Sequence, residues 1–408
     1  MDQNQFDAIA AWLSRAGLDG MAEQELLAGM CRRCREQGVP ISRGLALIDT
    51  LHPIWEGRAF RWQHGSAEES VVVEYGPTTV DGSHSETWQQ SPFRHMLDSG
   101  TTEFRRQLRD ASELGSYLPL VKAMEEGQTD YFAMIHRFAA EGSFGEMDCS
   151  YAQWTTDRPG GFADHELDAL RRLMPVLSLA IKCTAMGRIA GTLAEVYLGR
   201  DAGQRVLAGR ITRGVAERIH AVLWFSDLKS FTTIADGAAP EQIIPLLNDY
   251  AEAVIASIEA EGGDVLKLIG DGVLAMFNAA DPQHGASCAL RAGRAMRARL
   301  AAVDEKRRAQ GLPTTTVNLG LHIGEVFYGN IGSDTRLDFT VVGPAVNEVS
   351  RIVSMCRSVD RAVLLSADLV EAMAPEERAK FVSVGRFALR GVGRAKELFT
   401  PDPELVRR

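Results

Sequence analysis

Apolar positions in the first forty residues recur at helical spacing: Phe6, Ile9 and Leu13, then Leu26, Leu27 and Met30. From about Gly44 the period shortens to two. Runs at 45–50, 59–63 and 70–75, separated by Gly and Pro, predict strands, and 131–139 and 147–154 predict two more. Thr155-Thr-Asp-Arg-Pro-Gly-Gly-Phe162 then reads as a turn. Asp164 reads as the N-cap of a helix with the stripe Leu167, Leu170, Met174, Leu177, Ile181, which Pro175 should kink or split. Residues 186–215 carry a short stripe (Ile189, Leu193, Val196) followed by Gly199, Gly203, Gly209 and Gly214. This predicts a helical linker, either a dimerising or transmitting element or a plain tether.

Beyond it, strand and helix signals alternate. Residues 221–226 form a continuous apolar run, as expected of a strand buried on both faces. Pro240 opens a helix with the stripe Ile243, Leu246, Leu247, Tyr250, Val254, Ile258; Pro245 falls in its first turns, and Gly262-Gly263 ends it. Runs at 265–269 and 273–277 flank Gly270-Asp271, which predicts a hairpin with Asp271 at its tip. A helix at 283–309 follows, then strands at 315–323, 325–330 and 339–342.

Composition narrows the class. At 408 residues the chain has room for two to three domains, and 45% hydrophobic with 24% charged residues fits a soluble protein with a full core. A net charge of −10 argues against nucleic acid as a partner, so a polyanionic substrate must be met by local cations or bound metal. The start, Met1-Asp-Gln-Asn-Gln-Phe-Asp7, lacks a basic segment, so no secretory signal is expected. The longest apolar stretch, around 173–181, is short of the ~20 residues of a membrane span. A cytoplasmic protein with no membrane contact is the expectation. Cys31, Cys34, Cys149, Cys183, Cys288 and Cys356 mostly sit in apolar patterns, and Cys31-Arg-Arg-Cys34 has no second pair, so buried thiols are expected rather than a zinc or redox site. His52, His64, His84, His95 and His136 show no ligand spacing, and Trp55, Trp62, Trp88 and Trp154 read as core residues, with a pocket as the alternative.

Two aspartates carry the chemistry: Asp227 after one buried strand, Asp271 at a hairpin tip. Either alone reads as a turn residue or cap. Together they can bracket a pair of hard divalent cations, which take oxygen ligands and are completed by substrate phosphates. Asn347 and Arg351 are four apart and share a helix face, a pair that alone reads as a solvated face or a structural ion pair.

Four motifs in order, Phe225-Ser-Asp-Leu-Lys-Ser-Phe-Thr232, Lys267-Leu-Ile-Gly-Asp271, Gly320-Leu-His-Ile-Gly-Glu-Val-Phe-Tyr-Gly-Asn-Ile-Gly332 and Asp338-Phe-Thr-Val-Val-Gly-Pro-Ala-Val-Asn-Glu-Val-Ser-Arg351, resemble the class III nucleotidyl cyclase catalytic domain over residues 220–399. The turn and helix after 155 resemble the end of a GAF-type sensory domain, covering 44–183. The resemblance implies an α+β chain: a GAF-like α/β sensory domain at 1–185, a helical linker at 186–218 and a ferredoxin-like βαββαβ cyclase domain at 219–408. It implies that Asp227, Asp271 and the Leu228 carbonyl bind two Mg²⁺ or Mn²⁺ ions, that Lys267 and Thr340 read the base, and that Asn347 and Arg351 orient the ribose and stabilise the transition state. It also implies a homodimer with two shared sites, metal residues from one chain and the rest from its partner. A phosphate-binding cation would come from Arg390, Arg394 or Lys396. Lys267 can donate to adenine N1 and Thr340 can accept from N6, whereas relatives that use GTP carry an acid at the lysine position. Adenylate cyclase is therefore the expected activity, with guanylate cyclase, or a non-enzymatic nucleotide-sensing dimer, as the alternatives.

Overall fold

A computed structural model of the chain describes residues 1–77, 87–110, 112, 114–138, 145 and 147–403; His84 and the predicted end of a strand at Ala139 lie outside them. The chain divides into two compact units, Met1–Leu193 and Ala194–Arg408.

The first unit opens with α1 (Gln3–Leu18) and α2 (Glu23–Glu36). Asp2 caps α1 by accepting from the Gln5 amide, 2.8 Å away. There follow β1 (Arg43–Asp49), β2 (Gly57–Gln63), β3 (Ser70–Tyr75), α3 (Pro92–Ser99), β4 (Glu103–Gln107), α4 (Leu118–Glu125), β5 (Asp130–Arg137), β6 (Cys149–Thr156) and α5 (Asp164–Leu198). The strands form an antiparallel sheet in the order β3-β2-β1-β6-β5-β4. Strand alternation sends Ala46, Ile48, Phe60, Trp62 and Trp154 into a core with α1, α2 and α5, built on Leu13, Leu26, Leu27, Leu170 and Leu177. Tyr131, Ala133, Ile135 and Tyr151 meet Phe93, Met96 and Leu120 of α3 and α4 on the other face.

Three expectations change here. Pro175 does not split its helix: α5 runs unbroken for 35 residues, because Leu170, Leu173, Met174 and Leu177 are buried on both sides of the proline. Asp164 is the first helical residue rather than the cap; Glu166 reaches back to accept from the Ala163 amide at 2.7 Å. By length and composition alone α5 would also suffice to cross a membrane, unlike the short stretch read from the sequence; its apolar stripe instead lines the core. Cys31 and Cys34 are free and fully buried, and burial pushes the Cys34 thiol up to about 12. Cys183 alone of the six cysteines is exposed.

The second unit continues with α6 (Arg200–Leu207), β7 (Ala216–Leu228), α7 (Phe231–Gly237), α8 (Pro240–Ala260), β8 (Asp264–Ile269), β9 (Gly272–Asn278), α9 (Pro282–Ala309), β10 (Val317–Gly332), β11 (Leu337–Val342), α10 (Pro344–Val359), β12 (Val363–Ser366), α11 (Ala367–Ala372), α12 (Pro375–Arg378), β13 (Phe381–Phe387) and β14 (Lys396–Pro401). The sheet order is β13-β14-β12-β10-β7-β9-β8, with β11 paired to β10. Helices α8 and α9 cover one face through Tyr250, Val254, Ile258, Ala289 and Met296, packed on Val222, Trp224, Ala275 and Phe277.

The two strands expected at 315–323 and 325–330 are one. β10 runs 16 residues and pairs with β7 from Val317–Leu228 to Gly329–Ala216. Gly324, read as a break, is there for space: a Cβ on it would lie 2.8 Å from Ala345 Cβ, and one on Gly320 would lie 2.8 Å from the Val353 nitrogen. The two glycines let α10 settle directly on the strand.

Candidate active site

β7 delivers Asp227 as its penultimate residue, opposite Asn318 of β10. The β8–β9 hairpin brings Asp271 beside it, with Gly270 at φ +62° making the tip. Asp271 Oδ2 accepts from the Leu228 amide at 3.1 Å, which fixes the two acids relative to one another. Burial, then the charge of Asp271, raises the Asp227 carboxyl above its ordinary value, against the Asn318 amide and the Arg357 guanidinium. Asp227 Oδ1 is buried with no hydrogen-bond partner. A carboxylate oxygen held in that condition next to a second carboxylate fits a hard divalent cation, so the residues present suit the expected metal. Both acids line a cavity of about 180 Å³ with Ser226, Leu228, Gly270 and Val317. Directly after β7 the chain turns through Ser230 at φ +60°, a strained conformation for a residue with a Cβ.

The other predicted residues lie elsewhere in the unit. None of Lys267, Thr340, Asn347 and Arg351 lines the aspartate cavity. Asn347 and Arg351 do share one face of α10, and it is the exposed face; Ala345, Val349, Ile352 and Val353 fill the buried one. Lys267, on β8, donates to the carboxylate of Asp338 rather than pairing with Thr340.

Lys396, one of three candidate phosphate cations, is committed within the chain. Its ammonium lies 3.1 Å from both Glu348 and Asp368. Burial works against that charge, but the two carboxylates lift it above its ordinary value. Buried His322 completes the cluster, 3.4 Å from Glu348 and 2.8 Å from the Ser366 hydroxyl; burial holds its imidazole below its ordinary value despite the two acids. The cluster anchors α10 one residue past Asn347. A histidine and two acids at this spacing would suit a metal, yet the ammonium already pairs with both acids. Arg390 and Arg394 remain exposed.

Sequence reading missed Asp338, Arg357 and Glu348. Strand alternation would have found Asp338, two residues before Thr340; nothing local signals the other two. In the first unit, a cavity of about 760 Å³ opens on the sheet face, lined by Asp49, Arg61, Tyr75, Trp88, Tyr131 and Tyr151 among others. Trp62 and Trp154 are core residues, as expected; Trp62 also borders that cavity, where Trp88 packs edge-on against Tyr151.

Residues 215–400 match the family described as the adenylate and guanylate cyclase catalytic domain. Adenylate cyclase 1 of Rhizobium meliloti (strain 1021) is 31% identical over 194 residues, covering 47% of this chain and 29% of that protein. Among solved structures, the adenylyl cyclase CyaB from P. aeruginosa is 26% identical, covers 46% of this chain and 96% of that one, and superposes with a TM-score of 0.42. The guanylyl cyclase Cya2 is 27% identical with 46% and 95% coverage and a TM-score of 0.41. The chain spans about a third of the length of the curated relatives it matches. Residues 215–400 are thus a class III nucleotidyl cyclase catalytic domain.

Proposed function

We propose that the chain is a cytoplasmic adenylate cyclase that converts ATP to 3′,5′-cyclic AMP and pyrophosphate, working as a homodimer under the control of its N-terminal unit. The observation that carries this reading is the buried, unpartnered Oδ1 of Asp227 beside Asp271 at the end of β7. Asp227, Asp271 and the Leu228 carbonyl would hold two Mg²⁺ or Mn²⁺ ions. Such ions, when bound, lower the pKa of the ATP 3′-hydroxyl and balance charge on attacking and leaving oxygens. Lys267 donates to adenine N1 and Thr340 accepts from N6. Asn347 orients the ribose. Arg351 meets the charge that develops on the α-phosphate as the 3′-oxygen attacks in line.

Separation of the aspartate cavity from Lys267, Thr340, Asn347 and Arg351 supports a site completed by a second copy of the chain. The strand order β10-β7-β9-β8, with α8 and α9 as the crossovers, supports the ferredoxin-like reading of this domain. The six-stranded antiparallel sheet with helices on both faces and a large cavity supports a GAF-like sensory role for the N-terminal domain, passed on through the helical segment that follows.

The test is direct. Purified protein with Mg²⁺ or Mn²⁺ should turn ATP into cyclic AMP, and Asp227→Ala should abolish this with circular dichroism unchanged. Full activity in that variant would remove the metal assignment. A wild-type preference for GTP would favour guanylate cyclase, which the Lys267 reading disfavours.

A further inference from the structure

Lys267 has one ionic partner among the described residues, and it is Asp338. Its ammonium donates to Asp338 Oδ2, with both side chains about half exposed (49% and 41%). The pairing is set by the sheet. β11 pairs antiparallel with β10, Asp338 opposite Ile331 and Thr340 opposite Gly329. Phe339 and Val341 alternate into the core, where Phe339 meets the Tyr328 ring edge-on at 4.8 Å. Asp338 and Thr340 are therefore successive outward positions of one strand face, roughly 7 Å apart, and β8 lies against that strand.

We infer that Asp338 is a specificity-determining positioning residue that acts through Lys267. The inference rests on the reading that Lys267 meets the purine. A lysine ammonium sits on a flexible stem and can turn its three donors many ways. Left free, it can serve adenine by donating to N1 or swing to donate to O6 of guanine. Asp338 takes one N–H and fixes where the other two point. A fixed donor aimed at the N1 position meets an acceptor in adenine and an N–H in guanine, so the pair rejects GTP by opposing donor to donor. Thr340 cannot impose this, because its hydroxyl both donates and accepts. Asp338 does not touch the base; it removes the lysine's second option.

The experiment compares kcat/KM for ATP and GTP in wild type, Asp338→Ala, Asp338→Glu, Lys267→Ala and the double variant Lys267→Ala/Asp338→Ala. A charge pair at this exposure is worth a factor of up to ~5. Asp338→Ala should lower the ATP:GTP ratio by about that factor, mainly through KM, and Asp338→Glu should recover part of it. In the Lys267→Ala background, removing Asp338 should leave the ratio where it is. An unchanged ratio in Asp338→Ala, alongside a shifted ratio in Lys267→Ala, overturns the role of Asp338 and keeps that of Lys267. A ratio unmoved in Lys267→Ala overturns the base-reading assignment itself. An Asp338→Ala effect that persists in full without Lys267 also defeats the inference, since it would then act by another route. Both side chains are half exposed, so thermal unfolding midpoints should match wild type, and a fall in the midpoint with no change in ratio reads as a structural role only.

Discussion

Asp227→Asn should make the metal-free protein more stable while removing its response to divalent ions. Burial, reinforced by Asp271, sets the Asp227 carboxyl above its ordinary value. A carboxyl with a higher pKa folded than unfolded binds its proton more tightly in the native state. Above that raised value the native state must carry a charge it disfavours, so ionised Asp227 opposes folding at neutral pH, and the penalty fades as pH falls through the raised value toward the unfolded one. An unmet buried acceptor costs more when it carries a charge than when it is neutral, and with Asp227 only partly buried the difference is about 1 kcal/mol. Asparagine keeps the shape and drops the charge. The gain should appear as a rise of ~2–4 °C in the midpoint of the second unit. With Mn²⁺ at a hundred times its dissociation constant, wild type should gain ~2.7 kcal/mol and overtake the variant. Thermal unfolding of the full chain in EDTA and in Mn²⁺ reads both effects. An asparagine variant that is less stable in EDTA, or that keeps the whole Mn²⁺ shift, refutes the reasoning.

Three further outcomes are expected. Asp227→Ala and Arg351→Ala chains, each inactive alone, should recover up to about a quarter of wild-type activity when co-expressed, because half of randomly assorted dimers carry one intact site of two; proven heterodimers without activity would reject shared sites. Gly320→Val places a Cβ 2.8 Å from the Val353 nitrogen, so it should destabilise the unit by roughly 1–3 kcal/mol. It should also cut kcat about 100-fold for each ångström that α10 is displaced, read by steady-state kinetics beside urea unfolding. Lys396→Met leaves Glu348 and Asp368 without their cation and should cost about 2–3 kcal/mol, less than a fully buried pair because Lys396 keeps some exposure. It should also change the acid limb of stability. Burial depresses the folded His322 value, so wild-type stability falls as pH drops below about 6.5. Glu348 and Asp368 oppose that depression while Lys396 and His220 add to it. Removing the ammonium should therefore narrow the loss between pH 7.5 and 5 in urea titrations, and a wider loss would contradict the assignment.

What could be read from the chain, and what could not, divides along one physical line. The placing of Asp227 at a strand end and Asp271 at a hairpin tip was legible because each is fixed by a short run of neighbours: a buried strand ends, a glycine turns, an acid sits at the turn. That Asn347 and Arg351 share one face of α10 was legible through helical spacing. The errors came where a residue answers to something distant in sequence. Gly324 looks like a strand boundary locally, and only the helix 20 residues later explains it as the floor on which Ala345 rests. Pro175 looks like a break, and only the packing of the first unit holds the helix through it. Lys396 looked like a free cation in a basic tail, but β14 places it under α10. Asp338 is the sharpest case, since Lys267 lies 71 residues away and the two meet only once β11 has paired with the far half of β10. The division has a functional side. The acids proposed to hold metal sit where local sequence positions them, as a site needing rigid carboxylate geometry requires. The residues proposed to read the base depend on long-range register. On that proposal, a change in how β10 and β11 pair would alter nucleotide preference while leaving the metal end intact.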